Sequence, residues 1–289
     1  MEGAGAAHAP AYTGPMQDAM RLAFIGGGTM AGAIFGGLIA GGWPAAAITV
    51  VEPAPEQRAR LAAAHPGLHV VAAAEPGLRD AQIVVWAVKP QSFADAAQPC
   101  AAWISGALQL SVMAGIRSDA IVGASGSPRV VRAMPNTPAL IGQGIAGLFA
   151  RPAVGDADRR LVEDLLRPTG STLWFDREEA LDAVTALSAS GPAYVFYVLE
   201  AMVAAGVAMG LDAADARRLA VQTVGGAAAL AAASAEPIDT LRRNVTSPGG
   251  TTHAALEQLE RSGVAAAFVS AIQAAERRAR ELGDEFGRP

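Results

Sequence analysis

The sequence predicts an α/β domain, built on a doubly wound parallel sheet, that is followed by an all-α domain. Two observations support this fold class. Short apolar runs alternate with helical patterns up to Asp176, as expected of parallel strands joined by crossover helices. After Asp176, nearly every segment up to residue 280 has helical periodicity. We therefore divide the chain into residues 1–19, 20–176 and 177–289.

The composition supports two packed domains and argues against several kinds of partner. Of the 289 residues, 52% are hydrophobic and 17% are charged, which is ample apolar material for two cores. The net charge is −5 and no run of Lys and Arg occurs, so we expect no nucleic-acid partner. A single cysteine, Cys100, is typical of a reducing compartment, and we predict a cytoplasmic protein. The four histidines show no metal-ligand spacing, so no metal is expected.

The N-terminal segment and the most apolar helix both bear on targeting. Residues 1–19 have no basic stretch followed by a sustained apolar run, so they do not resemble a secretory signal. They are rich in Ala, Gly and Pro and are predicted to be disordered. Residues 193–209 form the most apolar helical pattern, but Glu200 interrupts it. We expect this helix to be buried in the core or against a second subunit, and we expect no membrane partner.

Apolar runs and helical patterns define the predicted elements in order. The predicted strands are residues 21–25, 47–51, 68–72, 81–88, 108–112, 129–133, 145–149 and 171–175, the last two as edge strands that close the sheet. The predicted helices of the first domain are residues 30–40, 57–64 and 156–166. Those of the second domain are residues 180–189, 193–209, 212–233, 238–244 and 264–282, with one more after a turn at 247–252.

A glycine-rich turn follows the first predicted strand. Residues 26–31 fit the pattern G-x-G-x-x-A, with a strand before the turn and a helix after it. Gly26 would allow the tight turn, Gly28 the approach of a pyrophosphate, and Ala31 close packing of helix on strand. This arrangement is typical of a Rossmann-type fold, in which the helix N-terminus binds the phosphates. The predicted cofactor-binding residues here are Gly26, Gly27, Gly28, Thr29, Met30 and Ala31.

Glu52 follows the second predicted strand and bears on the choice of cofactor. An acid at this position accepts a hydrogen bond from the ribose 2′-hydroxyl of NAD and repels the 2′-phosphate of NADP. Arg58 and Arg60 lie soon after it and could oppose that bias. The sequence therefore predicts NADPH or NADH as cofactor, with Glu52 favouring NADH.

A second informative turn lies at residues 247–252, Ser-Pro-Gly-Gly-Thr-Thr. The adjacent glycines, Gly249 and Gly250, permit positive φ and let backbone N–H groups converge. Thr251 or Thr252 would cap the helix that follows. Such a helix N-terminus suits a small carboxylate, and a plain helix–helix turn is the alternative interpretation.

Residues 244–252, Asn-Val-Thr-Ser-Pro-Gly-Gly-Thr-Thr, closely resemble the signature of pyrroline-5-carboxylate reductase. Other segments resemble the same family in the right order: the glycine turn, Val-Lys-Pro at 88–90, Arg-Ala-Met-Pro-Asn-Thr-Pro at 132–138, and Ala-Leu-Ser-Ala-Ser-Gly-Pro-Ala-Tyr at 186–194. The resemblance covers residues 21–282. It implies NAD(P)H-dependent reduction of 1-pyrroline-5-carboxylate to L-proline, the last step of proline biosynthesis.

The resemblance also assigns roles to individual residues. Thr252 is implied to be the catalytic hydroxyl near the ring nitrogen of the substrate. The implied substrate-binding residues are Glu178, Ser247, Gly249, Gly250, Thr251 and Thr252. The implied cofactor contacts outside the glycine turn and Glu52 are Val88, Lys89, Pro90, Ala114 and Asn244. The structural alternatives are an exposed acid at a helix start for Glu178 and a helix C-cap for Asn244.

The helical domain is small for so much apolar helix surface, which predicts a homodimer through this domain, with a decamer as a candidate higher assembly. An iminium substrate needs a positioned hydride donor and no strong acid or base, which fits the polar groups of the late turn.

Two rival interpretations differ in what they require. A hydroxyacid dehydrogenase would use a Lys in the helical domain, whereas no Lys follows Lys89. A nucleotide-sensing protein without turnover would need the early turn but not the late one.

Overall fold

The structure is a computed structural model that describes residues 20–286. The predicted disorder of residues 1–19 lies outside the described residues. The described chain forms two compact units. The first unit comprises residues 20–189 together with 275–286, and the second comprises residues 190–274.

In the described residues, one sheet contains every predicted strand, with ends shifted by a few residues. The strands are β1 Leu22–Ile25, β2 Ile48–Val51, β3 His69–Val71, β4 Ile83–Trp86, β5 Leu108–Ser111, β6 Val130–Met134, β7 Gly144–Ala150 and β8 Gly170–Phe175. Their order across the sheet is β3-β2-β1-β4-β5-β6-β7-β8. The first six follow the order of the doubly wound dinucleotide-binding fold, which confirms the predicted fold class.

The last two strands depart from the prediction. β8 is an edge strand, but β7 lies inside the sheet, because it pairs with β6 on one side and β8 on the other. The β6–β7 pair is antiparallel, whereas the other pairs of this sheet are parallel. The connection at residues 135–143 is too short for a parallel crossover, which needs about a dozen residues or more.

Helices cover both faces of the sheet in the first unit. They are α1 Thr29–Ala40, α2 Pro55–Ala64, α3 Phe93–Ala97, α4 Ala101–Ile104, α5 Ser118–Ser125, α6 Asp156–Leu166 and α7 Ala180–Val184. The predictions for α1, α2 and α6 are confirmed, while α3, α4 and α5 were not predicted. A π-helical turn, Thr185–Ala189, follows α7 where one continuous helix was expected.

Two apolar clusters, one on each face, hold the sheet between its helices. Phe24 belongs to one cluster and Ile25 to the other, because successive strand residues point to opposite faces. All four residues of β1 are therefore buried. Phe24 and Phe35 of α1 meet edge to face with ring centroids 5.4 Å apart. This packing fixes α1, and with it the glycine turn, over the ends of the strands.

The second unit is helical, as predicted. Its helices are α8 Gly191–Ala208, α9 Ala213–Ala233, α10 Ile238–Asn244, α11 Thr251–Arg261 and α12 Val264–Phe286, of which the turns from Ala275 onward belong to the first unit. α8 and α9 approach closely at Gly206, where an added Cβ would lie 2.8 Å from the Cβ of Ala216. Asp212 caps α9 by accepting from the Ala214 N–H at 2.8 Å.

Much apolar surface of the second unit is exposed in the single chain. Phe196 is 59% exposed, Tyr197 70%, Met209 77% and Leu219 58%. The stretch Ala180–Ala208 is long and apolar enough to cross a membrane by length and composition alone, and only 6% of its most apolar window is buried. A helix that is buried against a second subunit has the same properties.

Candidate cofactor and substrate sites

The glycine turn is closely packed at the ends of three strands. Gly26 has φ +98° and donates its N–H to the Val51 carbonyl at 2.9 Å. A Cβ on Gly26 would lie 2.8 Å from the Ala87 carbonyl oxygen, and a Cβ on Gly27 would lie 2.5 Å from a methyl group of Leu61. Side chains at these two positions would therefore disrupt the turn.

The backbone after the turn faces open space. Gly28 is the N-cap of α1, no side chain caps this helix end, and nothing lies within 4 Å of an added Cβ. Thr29 and Met30 form the first helical turn, and Ala31 is fully buried beneath it. A groove of about 440 Å³ opens beside Gly28. Free N–H groups at a helix N-terminus next to open space fit the pyrophosphate of a dinucleotide.

Glu52 connects the loop after β2 to the glycine turn. Its Oε2 accepts from the Gly27 N–H and its Oε1 from the Ala54 N–H, both at 3.0 Å. The guanidinium of Arg58 donates to the carbonyls of Glu52 and Pro53 at 3.0 and 2.7 Å, and no ion pair joins it to the Glu52 carboxylate in the described residues. The negative charge of Glu52 therefore lies at the turn where a dinucleotide ribose would be expected.

Two further loops with predicted cofactor contacts lie at the same edge of the sheet. β4 is the neighbour of β1, and β5 is the neighbour of β4, with all three strands parallel. The carboxyl ends of parallel strands meet at one edge, so Val88, Lys89 and Pro90 after β4 share an edge with the glycine turn. Ala114 follows β5 at this edge, where it is partly exposed.

Glu178 lies in a network of buried polar groups, which the sequence did not reveal. Its carboxylate accepts from the N–H and the hydroxyl of Ser118 at 2.7 and 2.6 Å, and from Nη1 of Arg132 at 2.8 Å. The Glu178 side chain is 16% exposed, so the alternative of an exposed helix-start acid is wrong. Because Ser118 is the first residue of α5, the carboxylate accepts from the first N–H group of that helix and carries negative charge at its N-terminus.

Arg132 makes this network unusual. Its side chain is 3% exposed, and burial lowers the pKa of the guanidinium, with the Glu178 carboxylate opposing that effect. Nε of Arg132 has no hydrogen-bond partner among the described residues. Arg132 opens the Arg-Ala-Met-Pro-Asn-Thr-Pro segment at 132–138, and this position within a quoted motif was the signal that could have revealed it.

Asn136, in the same segment, connects the loop after β6 to neighbouring elements. Its Oδ1 accepts from the Ile145 N–H at 3.0 Å. Its Nδ2 donates to the hydroxyl and the carbonyl of Ser188 at 3.3 and 3.4 Å. These contacts support a structural role for Asn136.

The late glycine turn of the second unit forms as predicted, with one correction. Gly249 has φ +73°, and the Gly250 N–H donates to the Ser247 carbonyl at 3.0 Å. The prediction that Thr251 or Thr252 caps the helix is wrong. Gly250 is the N-cap of α11, and no side chain caps this end. The two threonines instead occupy the first helical turn and are exposed.

This uncapped end has the properties of a site for a small anion. Ser247, Gly249, Thr251 and Thr252 are exposed around it. The first N–H groups of a helix lack intrahelical partners, and the helix dipole favours negative charge there. Asn244 is the last residue of α10, and Val245 is its C-cap. The Asn244 side chain donates to the Glu236 carboxylate at 3.1 Å.

No group of three or more His, Cys, Asp and Glu side chains suited to a metal ion occurs in residues 20–286.

Known proteins match the chain along most of its length. Residues 21–115 match the family model described as NADP oxidoreductase, coenzyme F420-dependent, and residues 178–282 match the model described as pyrroline-5-carboxylate reductase dimerisation. The pyrroline-5-carboxylate reductase of Pseudomonas aeruginosa is 44% identical over 270 residues, which cover 92% of this chain and 98% of that one.

Solved structures agree with these matches. A pyrroline-5-carboxylate reductase from Coxiella burnetii has a TM-score of 0.85 at 34% identity, covering 94% of this chain and 100% of that one. The pyrroline carboxylate reductase of Plasmodium falciparum, solved with NADP bound, has a TM-score of 0.82 at 27% identity, covering 93% of this chain and 99% of that one.

The doubly wound sheet, its glycine turn and these relatives define the class of protein as an NAD(P)H-dependent oxidoreductase. The sequence identity over nearly the whole chain is high enough to fix the family within that class. The chain belongs to the pyrroline-5-carboxylate reductase family.

Proposed function

We propose that this chain reduces 1-pyrroline-5-carboxylate to L-proline with NADPH or NADH, as the last step of proline biosynthesis in the cytoplasm. One observation carries the substrate assignment. The 244–252 signature folds into an exposed glycine turn at an uncapped helix N-terminus, as capture of a small carboxylate requires. Family membership supports the reaction.

The early glycine turn and its neighbours hold the dinucleotide in this proposal. The reduced nicotinamide supplies the hydride when it is bound. The N–H groups from Gly28 to Ala31 bind the pyrophosphate, Gly27 shapes the turn through its hydrogen bond to Glu52, and Glu52 lies where it contacts the ribose. Val88, Lys89, Pro90 and Ala114, at the ends of the neighbouring strands, bind the nicotinamide half. Asn244 is a further proposed cofactor contact.

The late turn holds the substrate. The first N–H groups of α11, from Thr251 and Thr252, bind the pyrroline carboxylate, with Gly250 as the N-cap and the Ser247 hydroxyl beside them. The Oγ1 of Thr252 holds the proton at the ring nitrogen. An iminium carbon needs no general base, so most of the rate then comes from orientation of the two reactants.

Glu178 has two possible roles in this account. As a substrate contact, its charge would favour the cationic ring. As a structural residue, it closes α5 and pairs with Arg132, and its contacts support this second role. The two roles differ in whether loss of Glu178 raises KM for the substrate or lowers stability.

A homodimer forms through the helical domain in this proposal, and five dimers assemble into a decamer. The match of residues 178–282 to a dimerisation model supports the dimer. The exposed apolar side chains of the second unit support it as well, because a large exposed apolar surface marks an interaction site.

Steady-state assays of the purified protein test the function. We expect oxidation of NADPH and NADH that depends on 1-pyrroline-5-carboxylate, with L-proline formed in equal amount. Cofactor binding without turnover would instead favour the nucleotide-sensing interpretation.

A further inference from the structure

The loop at residues 112–117, between β5 and α5, carries Ala114, one of the proposed cofactor contacts. Its first residues are fixed within the sheet. The Val112 N–H donates to the Trp86 carbonyl at 3.0 Å, and the Met113 N–H donates to the Ser111 hydroxyl at 3.3 Å. Ala114 and Gly115 are partly exposed. Their conformation therefore depends on contacts made further along the loop.

The end of α12 packs directly on this loop. Gly115 has φ +73°, and a Cβ there would lie 3.2 Å from the Leu282 carbonyl oxygen. Both the positive φ and the nearby helix backbone therefore require glycine at this position. The C-terminal helix limits how far the loop can move on this side.

Arg117, the last residue of the loop, is held more specifically. Its Nη2 donates to Oδ2 of Asp182 at 2.8 Å, and the Asp182 side chain on α7 is only 6% exposed. A Cβ on Gly283 of α12 would lie 2.5 Å from that Nη2 and 2.9 Å from Cζ. A larger residue at position 283 therefore has to displace the guanidinium from Asp182. Nη1 of Arg117 is buried without a hydrogen-bond partner in the described residues, so few other contacts fix the group.

Ser118, the residue after Arg117, also attaches the end of the loop to the segment that enters α7. Ser118 donates its N–H and its hydroxyl to the Glu178 carboxylate, which lies four residues before Asp182 on the segment that enters α7. Arg117 and Ser118 thus attach the end of the loop to one segment through two separate carboxylates. Ala114 lies three positions before Arg117, so a shift at this attachment reaches the proposed cofactor contact.

We propose that Arg117 is a positioning residue for the cofactor site. Its ion pair with Asp182, seated against Gly283, fixes the loop in the conformation that presents Ala114 to the dinucleotide. This role rests on the proposed function, because it takes Ala114 as a cofactor contact. Arg117 acts through the loop and does not touch the reacting atoms.

Gly283→Ala tests the proposal, since its methyl group enters the space of the guanidinium. The measurement is the Kd of NADPH without substrate, by titration of nicotinamide fluorescence. We expect Kd to rise about tenfold, as for a slightly misplaced binding group. The KM for 1-pyrroline-5-carboxylate should stay near the wild-type value. Gly123→Ala on α5 is the matched control, because an added Cβ there meets nothing within 4 Å.

A double-mutant cycle asks whether Gly283 acts through Arg117. In the Arg117→Ala background the added methyl group has no guanidinium to displace, so Gly283→Ala should raise Kd no further. Independent, multiplying effects on Kd would overturn the proposal. A lower melting temperature of Gly283→Ala with an unchanged Kd would show a purely structural contact and would also overturn it.

A substitute variant covers a folding failure of Gly283→Ala, and an activity assay separates this proposal from the proposed function. If Gly283→Ala fails to fold, Asp182→Asn takes its place, because it removes the charge and keeps the side-chain shape. An unchanged NADPH Kd in that variant overturns the proposal. Wild-type protein that binds NADPH but does not oxidise it with 1-pyrroline-5-carboxylate refutes the proposed function, while the Kd comparisons still decide the role of Arg117.

Discussion

Nη1 of Arg132 lies 2.8 Å from the carboxylate of Glu178, and the Arg132 side chain is 3% exposed. The pair joins β6 to the segment that enters α7. A buried guanidinium that loses its carboxylate is left as an unpaired charge in a low-dielectric environment. Glu178 is thus more important to the first unit than its position at a helix start suggested.

We predict that Glu178→Ala lowers the free energy of unfolding by roughly 3–5 kcal/mol, the usual cost of breaking a buried ion pair. Urea denaturation measures this loss. Glu179→Ala is the matched control, because Glu179 is exposed and its loss should change stability by no more than about 0.5 kcal/mol. A normal unfolding curve for Glu178→Ala with a raised KM for 1-pyrroline-5-carboxylate would support the substrate role instead.

The glycine turn predicts different effects on stability for substitutions at Gly26 and Gly28. Gly28→Ala should leave the melting temperature near the wild-type value, because the backbone there is extended and an added Cβ meets nothing within 4 Å. It should still raise the NADPH Kd about tenfold, by occupying the approach of the pyrophosphate. Gly26→Ala should lower both stability and affinity, given its φ of +98° and its contact with Ala87. Unaltered NADPH affinity in Gly28→Ala would place the cofactor elsewhere.

Glu52→Ser should shift the preference toward NADPH by about tenfold in the ratio of kcat/KM values, since it removes a carboxylate that repels the 2′-phosphate. The change also removes the acceptor for the Gly27 N–H, so both cofactors should bind less tightly. The ratio of the kcat/KM values for NADPH and NADH therefore reports the effect of the lost charge alone. Glu56→Ala is the control, as Glu56 is an exposed acid in the first turn of α2. The same NADH/NADPH ratio in the wild type and Glu52→Ser would refute the role of Glu52.

Burial raises the pKa of the Cys100 thiol from 9.0 to about 11. The unfolded thiol therefore ionises first as pH rises. Its contribution to stability is complete below about pH 9 and is lost as pH rises toward about 11. We expect the unfolding free energy to fall over this range more steeply in the wild type than in Cys100→Ala. Parallel curves for the two proteins would contradict the shift. Native protein at neutral pH should also resist thiol reagents that label it in urea.

The sequence predicted those features that depend on local patterns. Apolar runs located every strand of residues 20–286. The pattern at residues 26–31 located the glycine turn, because Gly26 requires a positive φ and Gly27 has no room for a side chain. α5 was missed because its eight residues are mostly small and give little periodic signal. The antiparallel direction of β7 could have been predicted from the short connection before it.

Contacts between distant residues could not be predicted in this way. Glu178 and Ser118 are 60 positions apart in the sequence, and their hydrogen bonds arise only once the segment that enters α7 meets the start of α5. The cap of α11 was missed for a different reason. Two threonines and a glycine all stood at acceptable positions, and the backbone placed Gly250 at the N-cap.

The central claim is that the late glycine turn binds the pyrroline ring while the early one binds the cofactor. Steady-state kinetics and NADPH titration of Thr252→Ala and Thr252→Ser test it most directly. We predict that Thr252→Ala lowers kcat/KM for 1-pyrroline-5-carboxylate by about a hundredfold, that Thr252→Ser restores most of it, and that neither changes the NADPH Kd. Loss of NADPH binding in Thr252→Ala, or full activity without the hydroxyl, would contradict this assignment.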